Sequence, residues 1–146
     1  GQLVRVLWRK KPIWIFKRDE NVLLSLNSNE VIKNLADPNG TGNSKNQQPS
    51  YVTSQFRSIE NTEGVAVIVG VCTHLGCSPT YRPEPGAADL GGDSWKGGFY
   101  CPCHGSKFDL AGRVYAGVPA PTNLEIPPYK YMTDTLIRIG IDPEFS

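Results

Sequence analysis

The chain has little net charge, few histidines, few cysteines and no long apolar run, and each shortage removes a class of function. Its 15 lysines and arginines nearly balance 14 aspartates and glutamates, leaving +1 at pH 7. Nothing in that balance points to a nucleic-acid partner or to a surface held on anionic lipid by charge. No apolar stretch reaches the roughly 20 residues that span a bilayer, and no signal-peptide pattern opens the chain. Strand-like sequence begins almost at once after Gly1-Gln2, which predicts that further residues precede Gly1 in the native protein. Internal repeats and long helical periods are also missing. What remains is one domain of 146 residues, large enough to bury a core.

The two histidines and four cysteines are not scattered. All six fall in Cys72-Thr73-His74-Leu75-Gly76-Cys77 and Cys101-Pro102-Cys103-His104-Gly105-Ser106. Core cysteines and surface histidines would not concentrate in this way, so the two segments are read as the halves of one site. The rest of the chain is read as their scaffold.

Leu3 to Trp8 and Ile13 to Phe16 are apolar runs separated by the polar break Arg9-Lys10-Lys11-Pro12, which predicts two strands joined by a tight turn. One short helix is expected within Asn27 to Leu35, capped by Ser28 or Asn29 and stopped by Asp37-Pro38. Val31, Ile32 and Leu35 would form its apolar face. Asp37 to Ser50 reads as a surface loop. Its Asn39-Gly40-Thr41 matches a glycosylation acceptor, but a plain Asn-Gly turn is the favoured reading. Gly64 to Val71 is a continuous β-branched run, the best candidate for a buried strand, and it leads directly into Cys72. Arg82 to Gly98 is broken by proline and glycine and is expected to cross the surface without building a core. Lys107-Phe108-Asp109 and Arg113-Val114-Tyr115 suggest a hairpin around Ala111-Gly112. Gly117 to Pro121 would form a stiff loop, and Leu136 to Ile141 a last strand. The class is mostly β.

Each site segment offers one thiol and one imidazole at chelating distance: Cys72 and His74 two apart, Cys101 and His104 three apart. Zinc accepts a mixed set, although its finger sites more often pair Cys with Cys and His with His. A two-iron, two-sulfide cluster with two Cys on one iron and two His on the other is the alternative.

The pattern Cys-x-His followed by Cys-x-x-His resembles the Rieske family. The full segments, together with Pro119-Ala120-Pro121-Thr122-Asn123-Leu124, resemble the Rieske subunit of cytochrome bc1 complexes, and Trp95-Lys96-Gly97-Gly98-Phe99 is similar to its proteobacterial members. These matches cover roughly the C-terminal half, and the N-terminal strands are compatible with the family's base. The resemblance implies an antiparallel β-sandwich base, approximately residues 1–70 and 117–146, with a small inserted cluster-binding subdomain, approximately 71–116. Cys72 and Cys101 would hold the buried iron of a [2Fe-2S] cluster, and His74 and His104 the outer one. Cys77 and Cys103 would form a disulfide, against the alternative of two free buried thiols. A disulfide implies an oxidising compartment, here the periplasmic side of a bacterial inner membrane.

The same resemblance implies a function: the iron–sulfur subunit of a quinol–cytochrome c oxidoreductase. It would take an electron and a proton from quinol at cytochrome b and pass the electron to cytochrome c1. An N-terminal membrane helix would lie outside this chain. Either His74 or His104 would meet the quinol through its outer ring nitrogen. Leu75 would pack on cytochrome b, and Gly117, Pro119, Ala120 and Pro121 would cover the cluster. Ser106 matches the serine whose hydroxyl bonds a bridging sulfide; the plainer alternative is a turn hydroxyl bonded to local backbone. Phe108 departs from the tyrosine of many relatives, so a sulfur-directed donor is lost and a lower potential is expected. Competing readings are the small Rieske subunit of another oxidoreductase, such as an arsenite oxidase type, a soluble Rieske ferredoxin, and a structural zinc module.

Overall fold

The computed structural model describes residues 3–42 and 44–141; Gly1, Gln2 and residues 142–146, from the expected base, and Asn43, from the expected 37–50 loop, lie outside them. Strands β1 (Leu3–Trp8) and β2 (Lys11–Lys17) form the expected antiparallel hairpin. Its turn is only Arg9-Lys10, both with positive φ (50° and 64°), the conformation that suits the twist of a two-residue hairpin. Pro12, expected in the break, belongs to β2 opposite Leu7. Strand β3 (Val65–Val69) pairs with the other side of β2, giving the order β1-β2-β3.

The side-chain alternation of this sheet sends two apolar faces in opposite directions. Ile13, Ile15, Val65, Val67 and Val69 share one face, on which Ile15 and Val65 line a groove with Tyr131 and Ile137 of a hairpin made of β7 (Tyr129–Thr133) and β8 (Leu136–Ile139). Trp14 and Phe16 face a second three-stranded sheet made of β4 (Thr80–Arg82), β5 (Gly98–Tyr100) and β6 (Lys107–Asp109). There Phe99 stacks on Trp14 at 4.8 Å and meets Phe16 edge-on at 5.7 Å. Antiparallel sheets in layers around one core confirm the mostly-β reading.

Sequence reasoning did not anticipate several elements, β5 among them. Helix α1 (Glu20–Leu26) starts where the Asp19 carboxylate accepts the Val22 N–H, so the charged run at 17–20 holds a cap as well as a strand end. Strand β7 precedes the expected last strand, and β4 opens the 82–98 excursion. Helix α2 (Asn29–Ile32) is shorter than expected, capped by Ser28, and Leu35 forms an isolated bridge with Tyr115 instead of extending it. The last strand stops at Ile139, before the positive-φ Gly140. The excursion does contribute to the interior. Leu90 and Trp95 are 3% and 1% exposed, and the Trp95 indole N–H donates to the Arg82 carbonyl. Two large apolar side chains outweighed the local run of Pro and Gly. Gly40 donates to the Asp37 carbonyl at positive φ, in keeping with a turn at Asn39-Gly40.

Buried guanidinium groups fasten the turn after β6 to the first sheet's side of the molecule. Arg18 donates to the carbonyls of Phe56, Glu63 and Leu110, and Arg57 to those of Ala111, Gly112 and Leu124. Burial lowers the pKa of both, but each guanidinium is surrounded by backbone acceptors. Arg113 pairs with the buried Asp109 carboxylate at 2.7 Å. Asp109 also receives the Ala111 and Arg113 N–H groups.

Candidate metal centre

β3 and β5 deliver the two site segments. Gly70 follows β3 directly beneath Trp14: a Cβ there would lie 2.3 Å from the indole, so no larger residue fits without moving the ring. The segments then make the same backbone figure. In the first, Cys72 N–H donates to Cys77 O at 2.7 Å and Gly76 N–H donates back to Cys72 O at 3.0 Å. In the second, Cys101 N–H donates to Ser106 O at 2.8 Å and Gly105 N–H to Cys101 O at 2.9 Å. Gly76 and Gly105 have φ of +79° and +84° with open space around them, so glycine is required here by conformation and not by crowding.

The Cys77–Cys103 disulfide joins the two loops across 26 residues of sequence. The sulfurs of Cys77, Cys101 and Cys103 lie within 4.8 Å of one another, but the disulfide takes two of them out of ligation. The free thiols are Cys72 and Cys101, both buried. Burial, and then the neighbouring Cys101 thiol, push the Cys72 thiol up, while the N–H groups of His74 and Leu75 act against them. A thiolate at Cys72 therefore needs a cation to offset desolvation.

His74 is half-buried and His104 exposed, with ring centroids 4.9 Å apart and planes at 85°. Thiols inside and imidazoles outside is the division a cluster with two sulfur-held and two nitrogen-held valences requires. Leu75, beside His74, is 67% exposed.

Ser106 is fully buried, and its hydroxyl accepts the Ala120 N–H at 3.0 Å. Its own proton has no acceptor among the described residues. That donor, with the two thiols and two imidazoles, fits an inorganic sulfide cluster. Phe108 is completely buried in β6 opposite Phe99, with no polar atom to offer. Gly117 turns at φ +77°, Pro119 and Pro121 are exposed, and Ala120 is buried. Two residues that sequence reasoning gave no role tie this proline loop down. Thr73 Oγ1 donates to Thr122 O at 2.7 Å. Asn123 Oδ1 accepts the Val114 N–H at 2.8 Å. Asn123 lies inside the Pro-Ala-Pro-x-Asn-Leu motif, which was the available signal; Thr73 had none beyond its place between Cys72 and His74.

A family model for the Rieske [2Fe-2S] domain matches residues 42–130. The ubiquinol-cytochrome c reductase iron-sulfur subunit of Allochromatium vinosum is 55% identical over 142 residues, covering 97% of this chain and 65% of the relative. The subunit of the same name from Blastochloris viridis is 41% identical, covering 96% of this chain and 64% of the relative. The mitochondrial cytochrome b-c1 complex subunit Rieske-1 of Arabidopsis thaliana is 40% identical, covering 96% and 42%. The chain thus spans at most about two thirds of these relatives' length. With the paired loops, their disulfide and the buried thiols, the match over most of the chain makes it a member of the Rieske [2Fe-2S] family.

Proposed function

We propose that this chain is the electron-transferring part of a quinol–cytochrome c oxidoreductase, accepting an electron and a proton from a quinol at cytochrome b and delivering the electron to cytochrome c1. The observation that carries the reading is the pair of imidazoles, 4.9 Å apart at the surface above two buried thiols. Cys72 and Cys101 would hold the inner iron, His74 and His104 the outer iron. When bound, the cluster supplies a one-electron acceptor whose potential is raised by two neutral ligands, into a range of about −150 to +300 mV.

The chain's own groups do the rest. His74 and His104 would each ligate through one ring nitrogen, and the outer nitrogen, once the oxidised metal has acidified its N–H and the proton has left, could accept a hydrogen bond and then a proton from a quinol hydroxyl. Ser106 would donate its hydroxyl proton toward sulfide and so stabilise added negative charge. The 117–121 loop limits water on that side. Leu75 offers an apolar contact beside His74. Residues 70–81, 97–106 and 114–124 contain no Asp, Glu, Lys or Arg. A partner therefore meets an uncharged surface, which suits docking against a quinol pocket more than salt-dependent capture. Residues 71–116 would form the cluster-bearing unit on a base of 1–70 and 117–146, a division supported by a β4–β6 sheet drawn wholly from within that stretch. The disulfide favours the periplasmic side.

The test is the reduction midpoint of the purified domain against pH. A positive midpoint that begins to fall near neutral pH supports quinol oxidation, because it reports ligand imidazoles losing protons. A negative midpoint, flat until strongly alkaline pH, assigns the chain to a ferredoxin-like shuttle instead. A fully metallated sample without a redox couple returns the site to zinc.

A further inference from the structure

We infer that Asn123 is a positioning residue for the redox centre, acting through the proline loop on the Ser106 hydroxyl. Asn123 is fully buried and every polar group it has is engaged. Oδ1 accepts the Val114 N–H, Nδ2 donates to Asp37 O, the main-chain N–H donates to Ser44 Oγ, and the main-chain carbonyl accepts from Gln47 Nε2. The Val114 bond is the decisive one. Val114 and Asn123 are the two ends of the loop that carries Gly117 to Pro121, so their bond closes it at the neck. Leu124 N–H donating to Gly112 O, at 2.8 Å, makes a second rung below.

A loop closed at its neck presents its tip in one place. Here the tip residue is Ala120, whose N–H donates to Ser106 Oγ at 3.0 Å. That bond has two consequences. It occupies an acceptor site of the hydroxyl, so the Ser106 proton is directed away from the loop, to the side where no described residue accepts it. It also polarises the O–H: a hydroxyl that accepts a hydrogen bond donates a stronger one. Proline on both sides of Ala120 keeps the donor stiff. Asn123 thereby sets the strength and direction of the proton that Ser106 offers to sulfide, without itself touching the cluster.

The inference rests on the Rieske reading, and the experiment keeps the two apart. Asn123→Ala, Ser106→Ala and the double variant are compared with wild type as cluster-loaded protein, each by midpoint potential and by hydrogen exchange of the Ala120 amide. Expected is a lowered midpoint in Asn123→Ala, smaller than that of Ser106→Ala, which disappears when Ser106 is already alanine, with faster Ala120 exchange. A shift of equal size in the Ser106→Ala background overturns the inference, since Asn123 would then act by another route. Should Asn123→Ala fail to fold, Ala120→Pro removes the N–H donor, while also fixing φ at that position, and tests the same link: an unchanged midpoint overturns it. A wild-type protein without a Rieske redox couple defeats the functional reading instead, before any variant is compared.

Discussion

Thr73 donates its hydroxyl proton to the carbonyl oxygen of Thr122, at 2.7 Å, and so binds the first cluster loop to the far end of the proline loop. A neutral hydrogen bond of this kind contributes about 1 kcal/mol net. Thr73→Val keeps the shape and removes the donor. It is expected to lower stability by about that amount and to speed amide exchange in the 117–122 segment more than elsewhere. Chemical denaturation with hydrogen exchange checks both, and an unchanged proline loop would show that the Asn123, Leu124 and Ala120 bonds hold it without Thr73.

The disulfide is the one covalent link between the loops. By loop-closure reasoning a bridge across 26 residues stabilises by about 3.5 kcal/mol. Cys77→Ser and Cys103→Ser should each lose roughly that amount, and their clusters should be released sooner under mild denaturant, followed by the decay of visible absorbance. A cluster lifetime equal to wild type would mean that the backbone figure of each loop suffices by itself.

Phe108 fills a buried position in β6 with no donor. Phe108→Tyr is expected to raise the midpoint, because a hydroxyl donor to sulfur favours the reduced state. Voltammetry on the two proteins decides it. An identical midpoint in a folded, loaded variant removes this position from the set that tunes the potential.

Alkaline pH should weaken the fold through its phenols. Burial pushes Tyr115 up to about 12 from 10, and Tyr129 and Tyr131 are raised by the same cause. A folded-state acid with a raised pKa holds its proton while the unfolded chain releases it. Its contribution is therefore complete below about pH 10 and is lost as pH rises toward about 12. Arg18 and Arg57, whose pKa burial lowers, push the other way, so the wild-type curve mixes both signs. The clean measurement is the difference: unfolding free energy of Tyr115→Phe against wild type from pH 9 to 12, where the variant should lose less stability as pH rises.

The sequence by itself determined the paired thiol and imidazole spacing, the glycines of the two loops and the strand that delivers Cys72. Each of those depends on local chemistry: thiol and imidazole spacing, a positive φ at Gly76 and Gly105, and β-branched residues from Val65 to Val69. Expectations failed where a long-range partner overrode the local pattern. Trp95 and Leu90 pulled a proline- and glycine-rich excursion into the core, and Pro12 was accepted into β2. Only the tertiary structure decided which backbone groups meet across the site. Thr73 with Thr122, Ala120 with Ser106 and Val114 with Asn123 are pairs whose geometry follows from the closure of two separate loops onto one core. A hydrogen bond is lost over a fraction of an ångström. Residue type along the chain carries no information at that precision, and packing supplies it.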